Sequence, residues 1–141
     1  MTTPEETAAA VGAAMWARDR ASQALGMALE EVRPGFARVR MTVRADMLNG
    51  HGTCHGGIIF AIADSAFAFA CNSRDVVTVA SGCAIEFLAP VREGDELVAE
   101  AEERSLQGRI GVYDVDVRRG AAELVATFRG RSAATRDRVL E

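Results

Sequence analysis

Between Gly57 and Cys71 the chain reads GIIFAIADSAFAFAC, apolar on nearly every side of a helix and interrupted by one carboxylate, Asp64. A helix of that kind has to be covered on most sides. The flanking segments can supply the cover. GFARVRMTVR, ahead of it, alternates, with Ala37, Val39, Met41 and Val43 on one face and Arg38, Arg40, Thr42 and Arg44 on the other. That is the pattern of a half-buried strand. Four strand-like segments follow the helix, roughly Val76 to Leu88, Asp95 to Ser105, Arg109 to Arg118 and Glu123 to Ser132. Pro90 and Gly94, Gln107-Gly108 and Arg119-Gly120 punctuate them. The last three are close enough to pair as a meander of hairpins.

A curved antiparallel sheet wrapped around one long central helix satisfies this order. The fold class expected is therefore α+β with the hotdog architecture. The alternative is an α+β sandwich with both helices on one sheet face. An additional N-terminal helix starts at Thr3, followed by Pro4, Glu5 and Glu6: a cap, a proline in the first turn, then acids at the positive end of the dipole. It is expected to run to about Leu25, with Gly26 ending it. A loop spans Ala45 to about His55. The tail after Arg131, residues 133–141, is short and polar and is expected to fray.

With 141 residues and no compositional break, the chain is expected to be one domain, residues 1–141, long enough to bury a core without staples. The net charge of −4, with no basic block, argues against nucleic acid as a partner. Every basic residue is arginine. Codon bias accounts for that, and arginine forks would also suit a phosphate-bearing ligand. Three cysteines, Cys54, Cys71 and Cys83, without a C-x-x-C pair, fit reduced thiols in a cytoplasm better than a disulfide framework or a zinc site. The N-terminus opens with acids and does not read as a signal peptide, and no apolar run reaches the ~18 residues of a membrane span.

Asp64 is where chemistry enters. An unpaired buried carboxylate is costly, and burial disfavours its charged form. Such an acid meets an arginine, caps a neighbouring loop, or has a task; with its pKa raised toward neutrality it would suit a general base. The CHGG run, Cys54 to Gly57, is the second feature. Glycines at a helix start leave backbone N–H groups open to approach, and with the helix dipole they favour a developing negative charge. A carbonyl oxygen at the Gly56 N–H would be polarised there. The plainer reading is that Gly56 and Gly57 allow close packing of loop on sheet.

Gly56 and Asp64 stand eight residues apart, about 12 Å along a helix axis. Both would have to lie near 3 Å from one reacting centre. If both are catalytic, one chain cannot complete the site, and a two-fold partner can. A homodimer is then the minimum assembly.

At these residues the chain resembles a known family. MLNGHGTCHGGIIFAIADSAFAFACNS, VASGCAIEFLAPVREGDEL, GVYDVDV and FRGRS look like the phenylacetate-pathway acyl-CoA thioesterases of the hotdog superfamily. The resemblance covers roughly Ala24 to Ser132. It implies hydrolysis of an aryl- or arylacetyl-CoA thioester, phenylacetyl-CoA or a ring-hydroxylated derivative, to the free acid and coenzyme A. It implies Asp64 as base or nucleophile, the Gly56 N–H as binder of the thioester carbonyl, His55 as a group that places the thioester, and Asn49 near the acid of the partner's site. It also implies a homotetramer built as a dimer of dimers, with no metal or redox cofactor; coenzyme A is part of the substrate.

Each residue has a plainer reading. His55 could cap the helix, His51 could order the loop, and Asn49 with Gly50 is turn chemistry. Cys54 beside His55 suggests a cysteine nucleophile, but sequence neighbours point apart on an extended chain. Phe67 and Phe69 fit a core better than a stacking role. Arg74, Arg92, Arg109 and Arg131 are candidates to meet coenzyme phosphates. Rival functions are a hotdog dehydratase of hydroxyacyl thioesters, for which His51 and His55 speak, and a non-catalytic acyl-CoA sensor.

Overall fold

Thr3 caps the first helix in both directions. Its hydroxyl accepts the Glu6 N–H at 3.0 Å, and the Glu6 carboxylate accepts the Thr3 N–H at 2.8 Å. This capping box satisfies two of the free donors at the helix start and sets α1, Pro4–Arg18. The computed structural model describes residues 2–141. The helix stops earlier than the sequence suggests. Asp19 leaves the helical conformation and caps a second, short helix, α2 (Arg20–Ala24), by accepting the Ser22 N–H. Gly26, at φ +74°, ends it as expected.

Six strands follow in one antiparallel sheet: β1 (Ala28–Arg33), β2 (Phe36–Thr42), β3 (Thr78–Phe87), β4 (Glu96–Gln107), β5 (Ile110–Arg119) and β6 (Glu123–Ala134), in the order β1-β2-β4-β5-β6-β3. The expected meander is β4-β5-β6. Strand β1 was not expected. Its adjacent Glu30 and Glu31 break the alternation, and the strand carries a register shift between Leu29 and Glu31. The sheet wraps helix α3, Gly56–Cys71, which packs chiefly on β2, β4 and β5. This is the hotdog fold.

The core lies between α3 and the concave face of the sheet. Ile59, Ile62, Ala63, Ala66, Phe67 and Phe69 of the helix meet Val39, Met41, Leu97, Ala99, Val115 and Phe128, all buried. Phe67 and Phe69 are core residues, each 1% exposed. Along α3 one stripe stays partly open, however: Ala61, Asp64, Ser65 and Ala68. The edge strand β3 is open as well, with Val79, Phe87 and the following Leu88 each more than half exposed.

The tail expected to fray is tied down instead. Strand β6 continues to Ala134. Beyond it, Asp75 accepts the Leu140 N–H at 2.7 Å and pairs with Arg138 at 2.7 Å, and Val139 is buried.

Candidate active site

The N-terminus of α3 is built by its own loop. Cys54 and His55 are extended, held by Cys54 N–H to Val91 O at 2.7 Å and His55 N–H to Met47 O at 2.8 Å. His55 is the helix cap, and its Nδ1 accepts the Gly57 N–H at 2.9 Å. The Gly56 N–H, one residue earlier, has no acceptor among the described residues. The side chain nearest to Gly56 is the half-exposed ring of Phe87, 3.1 Å from where a Cβ would stand.

Asn49 folds the preceding loop. Its Oδ1 accepts the His51 N–H at 2.9 Å and the Thr53 N–H at 3.2 Å, and its Nδ2 donates to Thr53 Oγ1 at 3.0 Å. Within one protomer Asn49 and His51 therefore do turn chemistry. Cys54 is buried, and burial pushes its thiol up to about 11. A thiol of that kind carries almost no thiolate at neutral pH, so the cysteine-nucleophile alternative falls.

Asp64 lies two turns further along α3, on the open stripe. It borders a cleft of about 200 Å³ with Asp19, Ser22, Leu25, Met27 and Ser65. Burial pushes its carboxyl up from the ordinary carboxylate range, and the charge of Asp19 pushes it further. No hydrogen bond or ion pair holds it among the described residues. The alternatives of an arginine partner or a capped loop are thus not realised. Asn49, His55 and Gly56 sit together at one end of α3, and Asp64 stands apart from them on the same helix.

Asp19 and Ser22 escaped the sequence reading of the site, although D-x-x-S at Asp19 to Ser22 is a capping signal. Of the four arginine candidates, Arg74 is held by Glu103, which also accepts the Tyr113 hydroxyl. Arg92, Arg109 and Arg131 pair with no carboxylate among the described residues. Nor do three His, Cys, Asp or Glu side chains converge there as a metal site would need. No helix is long and apolar enough to cross a membrane.

Residues 51–126, the segment that carries the end of the loop, α3, strands β3, β4 and β5 and the start of β6, match the thioesterase superfamily. This chain belongs to that superfamily. The thioesterase is 48% identical over 119 residues to the acyl-coenzyme A thioesterase PaaI of Escherichia coli, covering 84% of this chain and 85% of that one. It superposes on the structure of the E. coli PaaI protein from the phenylacetic acid degradation operon with a TM-score of 0.94 at 43% identity, over 96% of this chain and 99% of the other. A variant of the phenylacetic acid degradation protein PaaI of Thermus thermophilus gives a TM-score of 0.80 at 40% identity, covering 83% of this chain and 100% of that one. The expectation of a thioester hydrolase on a hotdog fold is met.

Proposed function

We propose that this thioesterase hydrolyses aryl- or arylacetyl-CoA, phenylacetyl-CoA or its ring-hydroxylated derivatives, to the free acid and coenzyme A. One relationship carries the mechanism. An amide without an acceptor, Gly56 N–H, and a carboxylate without a partner, Asp64, occupy the same helix too far apart to meet at one atom. Each is half of a site. The amide binds and polarises the thioester carbonyl oxygen. Asp64 either takes a proton from water, whose oxygen adds to the carbonyl carbon, or adds directly to that carbon. In both cases the carbon–sulfur bond of the tetrahedral intermediate breaks and the thiolate leaves and gains a proton; in the first the acid is then complete, and in the second water hydrolyses the acyl–Asp64 anhydride to give the acid and restore the carboxylate.

The open edge supports the assembly this requires. Gly56 adjoins Phe87 at the end of β3, and Asp64 acts on Cys83 near its middle. Two copies of β3 paired antiparallel about a two-fold axis near Ile85 would set Phe87 of one opposite Cys83 of the other. Gly56 of each copy would then approach Asp64 of its partner, and the exposed Phe87 and Leu88 would be covered. Asn49 would sit beside the partner's acid. His55, with Nδ1 engaged, presents Nε2–H to the thioester. Arg92, Arg109 and Arg131 are free to meet the coenzyme phosphates. Two such dimers form the proposed tetramer, in the cytoplasm, with coenzyme A entering as part of the substrate and no further cofactor.

The test is thiol release from a panel of aryl, arylacetyl and straight-chain acyl-CoA esters, with Asp64→Asn alongside. Arylacetyl esters should turn over fastest, and Asp64→Asn should lower that turnover at least ~100-fold, the scale of a lost general base. Tight binding of the esters without thiol release would replace this reading with a sensor.

A further inference from the structure

The N-terminal segment reaches Asp64 by a route that capping alone does not require. Asp19 Oδ1 accepts the Ser22 N–H at 3.0 Å, which is the cap of α2, and Oδ2 accepts the Ser22 hydroxyl at 2.7 Å. Ser22 Oγ lies 2.8 Å from Ser65 Oγ. Because the Ser22 proton is committed to Asp19, the shared proton comes from Ser65. The chain therefore has one direction: Ser65 O–H to Ser22 Oγ, Ser22 O–H to the Asp19 carboxylate. Ser22 is 3% exposed, so this chain is shielded from water where it crosses from α2 to α3. Its far end is the neighbour of Asp64, and Asp19, Ser22, Asp64 and Ser65 all line the same cleft.

We propose that Asp19 is a positioning residue for Asp64: the Ser22–Ser65 hydroxyl pair fixes its carboxylate across the cleft, where its negative charge makes Asp64 the stronger proton acceptor. The proposal rests on the reading of Asp64 as the carboxylate that must be ionised for hydrolysis, whether as base or as nucleophile. A like charge nearby favours the protonated form of its neighbour. The two carboxylates are unequal by construction. Asp19 accepts two hydrogen bonds from Ser22, and Asp64 accepts none among the described residues.

The other groups around Asp64 do not compete for this role. Cys71, further along α3, is pushed up to about 12 by burial, and Cys83 of β3 is also raised, first by burial and then by Asp64 itself. Both are neutral thiols at neutral pH. The strands β2, β4, β5 and β6 face α3 with apolar residues and with Tyr113, whose hydroxyl is turned to Glu103. Among the described residues, Asp19 is the one charged side chain acting on Asp64.

The experiment is the pH profile of kcat/KM for phenylacetyl-CoA in Asp19→Asn, Asp19→Ser and Asp19→Glu. Asparagine and serine both keep an N-cap acceptor, so the two variants should fold, with melting temperatures checked. Both should move the acid limb to lower pH by about half a unit at low salt, the scale of one like charge across a wet cleft. In 1 M salt the wild-type limb should move toward theirs, because screening weakens the charge. Asp19→Glu, which keeps the charge, should restore the wild-type limb. An acid limb of Asp19→Asn and Asp19→Ser that superimposes on the wild type overturns the proposal. Asp64→Asn, assayed in parallel, separates the two failures. Full activity there overturns the reading and the proposal together; an inactive Asp64→Asn beside an unmoved Asp19 profile overturns the proposal alone.

Discussion

His55 Nδ1 accepts the Gly57 N–H at 2.9 Å and thereby leaves the adjacent Gly56 N–H unclaimed. An accepting Nδ1 puts the imidazole proton on Nε2, so the same ring that caps α3 turns a donor outward. Capping and the proposed placement of substrate are separable in this arrangement. His55→Ala loses both, and should cost about 1 kcal/mol of stability, the usual worth of a helix cap, together with turnover. His55→Ser keeps a cap acceptor and lacks the outward donor. Its melting temperature should stay near that of the wild type while kcat/KM falls. Wild-type kcat/KM in a well-folded His55→Ser would reduce His55 to a cap.

Asp64 makes a prediction of opposite sign for stability and for turnover. Burial first, and Asp19 second, raise its folded pKa above the unfolded value. The folded state then binds this proton more readily than the unfolded chain. The ionised carboxylate costs stability fully once the pH exceeds the folded pKa, and costs nothing below the unfolded value near ~4. Asp64→Asn should therefore melt at or above the wild-type temperature at pH 7 to 8. The gap should close as the pH is lowered toward 4. Over the same range wild-type turnover should fall with acidity, because on the proposed mechanism the group must be ionised to act. A variant that melts well below the wild type at pH 8 would mean that the carboxylate has a structural partner.

The same residue shows how far the sequence could be read. The buried helix and the separation of Gly56 from Asp64 are both consequences of helical spacing, which is local, and they were legible. So were β2 and the β4-β5-β6 meander, from alternation and turn residues. Strand β1 was not, since Glu30 and Glu31 sit side by side and the bulge between Leu29 and Glu31 hides the period. The stop at Asp19 was masked by good helix formers on either side. Its approach to Asp64 depends on how the N-terminal segment docks, which no local pattern encodes. The exposure of β3 misleads in the other direction: its apolar composition reads as core, while in the protomer it is an open edge.

Gly130 tests the core that holds α3 in place. A Cβ there would stand 2.7 Å from the Phe67 ring. That ring is 1% exposed and lies between Tyr113 and Phe128, each at a centroid distance of 5.7 Å, so it has nowhere to retreat. Gly130→Ala should destabilise the protein by roughly 1–3 kcal/mol, the cost of overpacking, read as a lower midpoint in urea. An unchanged midpoint would mean that the sheet gives way more easily than its packing suggests.

Asp75 anchors the tail, and its pH dependence runs opposite to that of Asp64. Burial acts to raise its carboxyl, but the Leu140 N–H and Arg138 outweigh burial and hold it below the usual range. Stability from this anchor is present above the unfolded carboxylate value and is lost as the pH falls through the lower, folded one. The residue sits at φ +68°, in the left-handed region that asparagine tolerates and alanine does not. Asp75→Ala should therefore destabilise more than Asp75→Asn, and both should speed carboxypeptidase trimming of the last residues. Equal trimming rates in wild type and Asp75→Ala would show that the anchor does not govern the tail.

The proposed division of the site between two copies gives a prediction that no single-chain mechanism makes. Gly56→Pro removes the amide proton at the first helical position, where proline is favoured. The preceding residue, His55, already has φ −60° and ψ 134°, as a residue before proline requires. The Phe87 ring, 3.1 Å from where a Cβ would stand, has to shift by a few tenths of an ångström to admit the ring atoms. Gly56→Pro and Asp64→Asn should each be nearly inactive as pure proteins. Unfolded together and refolded at equal ratio, they should regain thiol release. A mixed dimer has one site with both defects and one site with neither, and random pairing makes half the dimers mixed. About a quarter of wild-type activity is then expected. A protein whose site lay within one chain would regain nothing, since every copy would carry one defect.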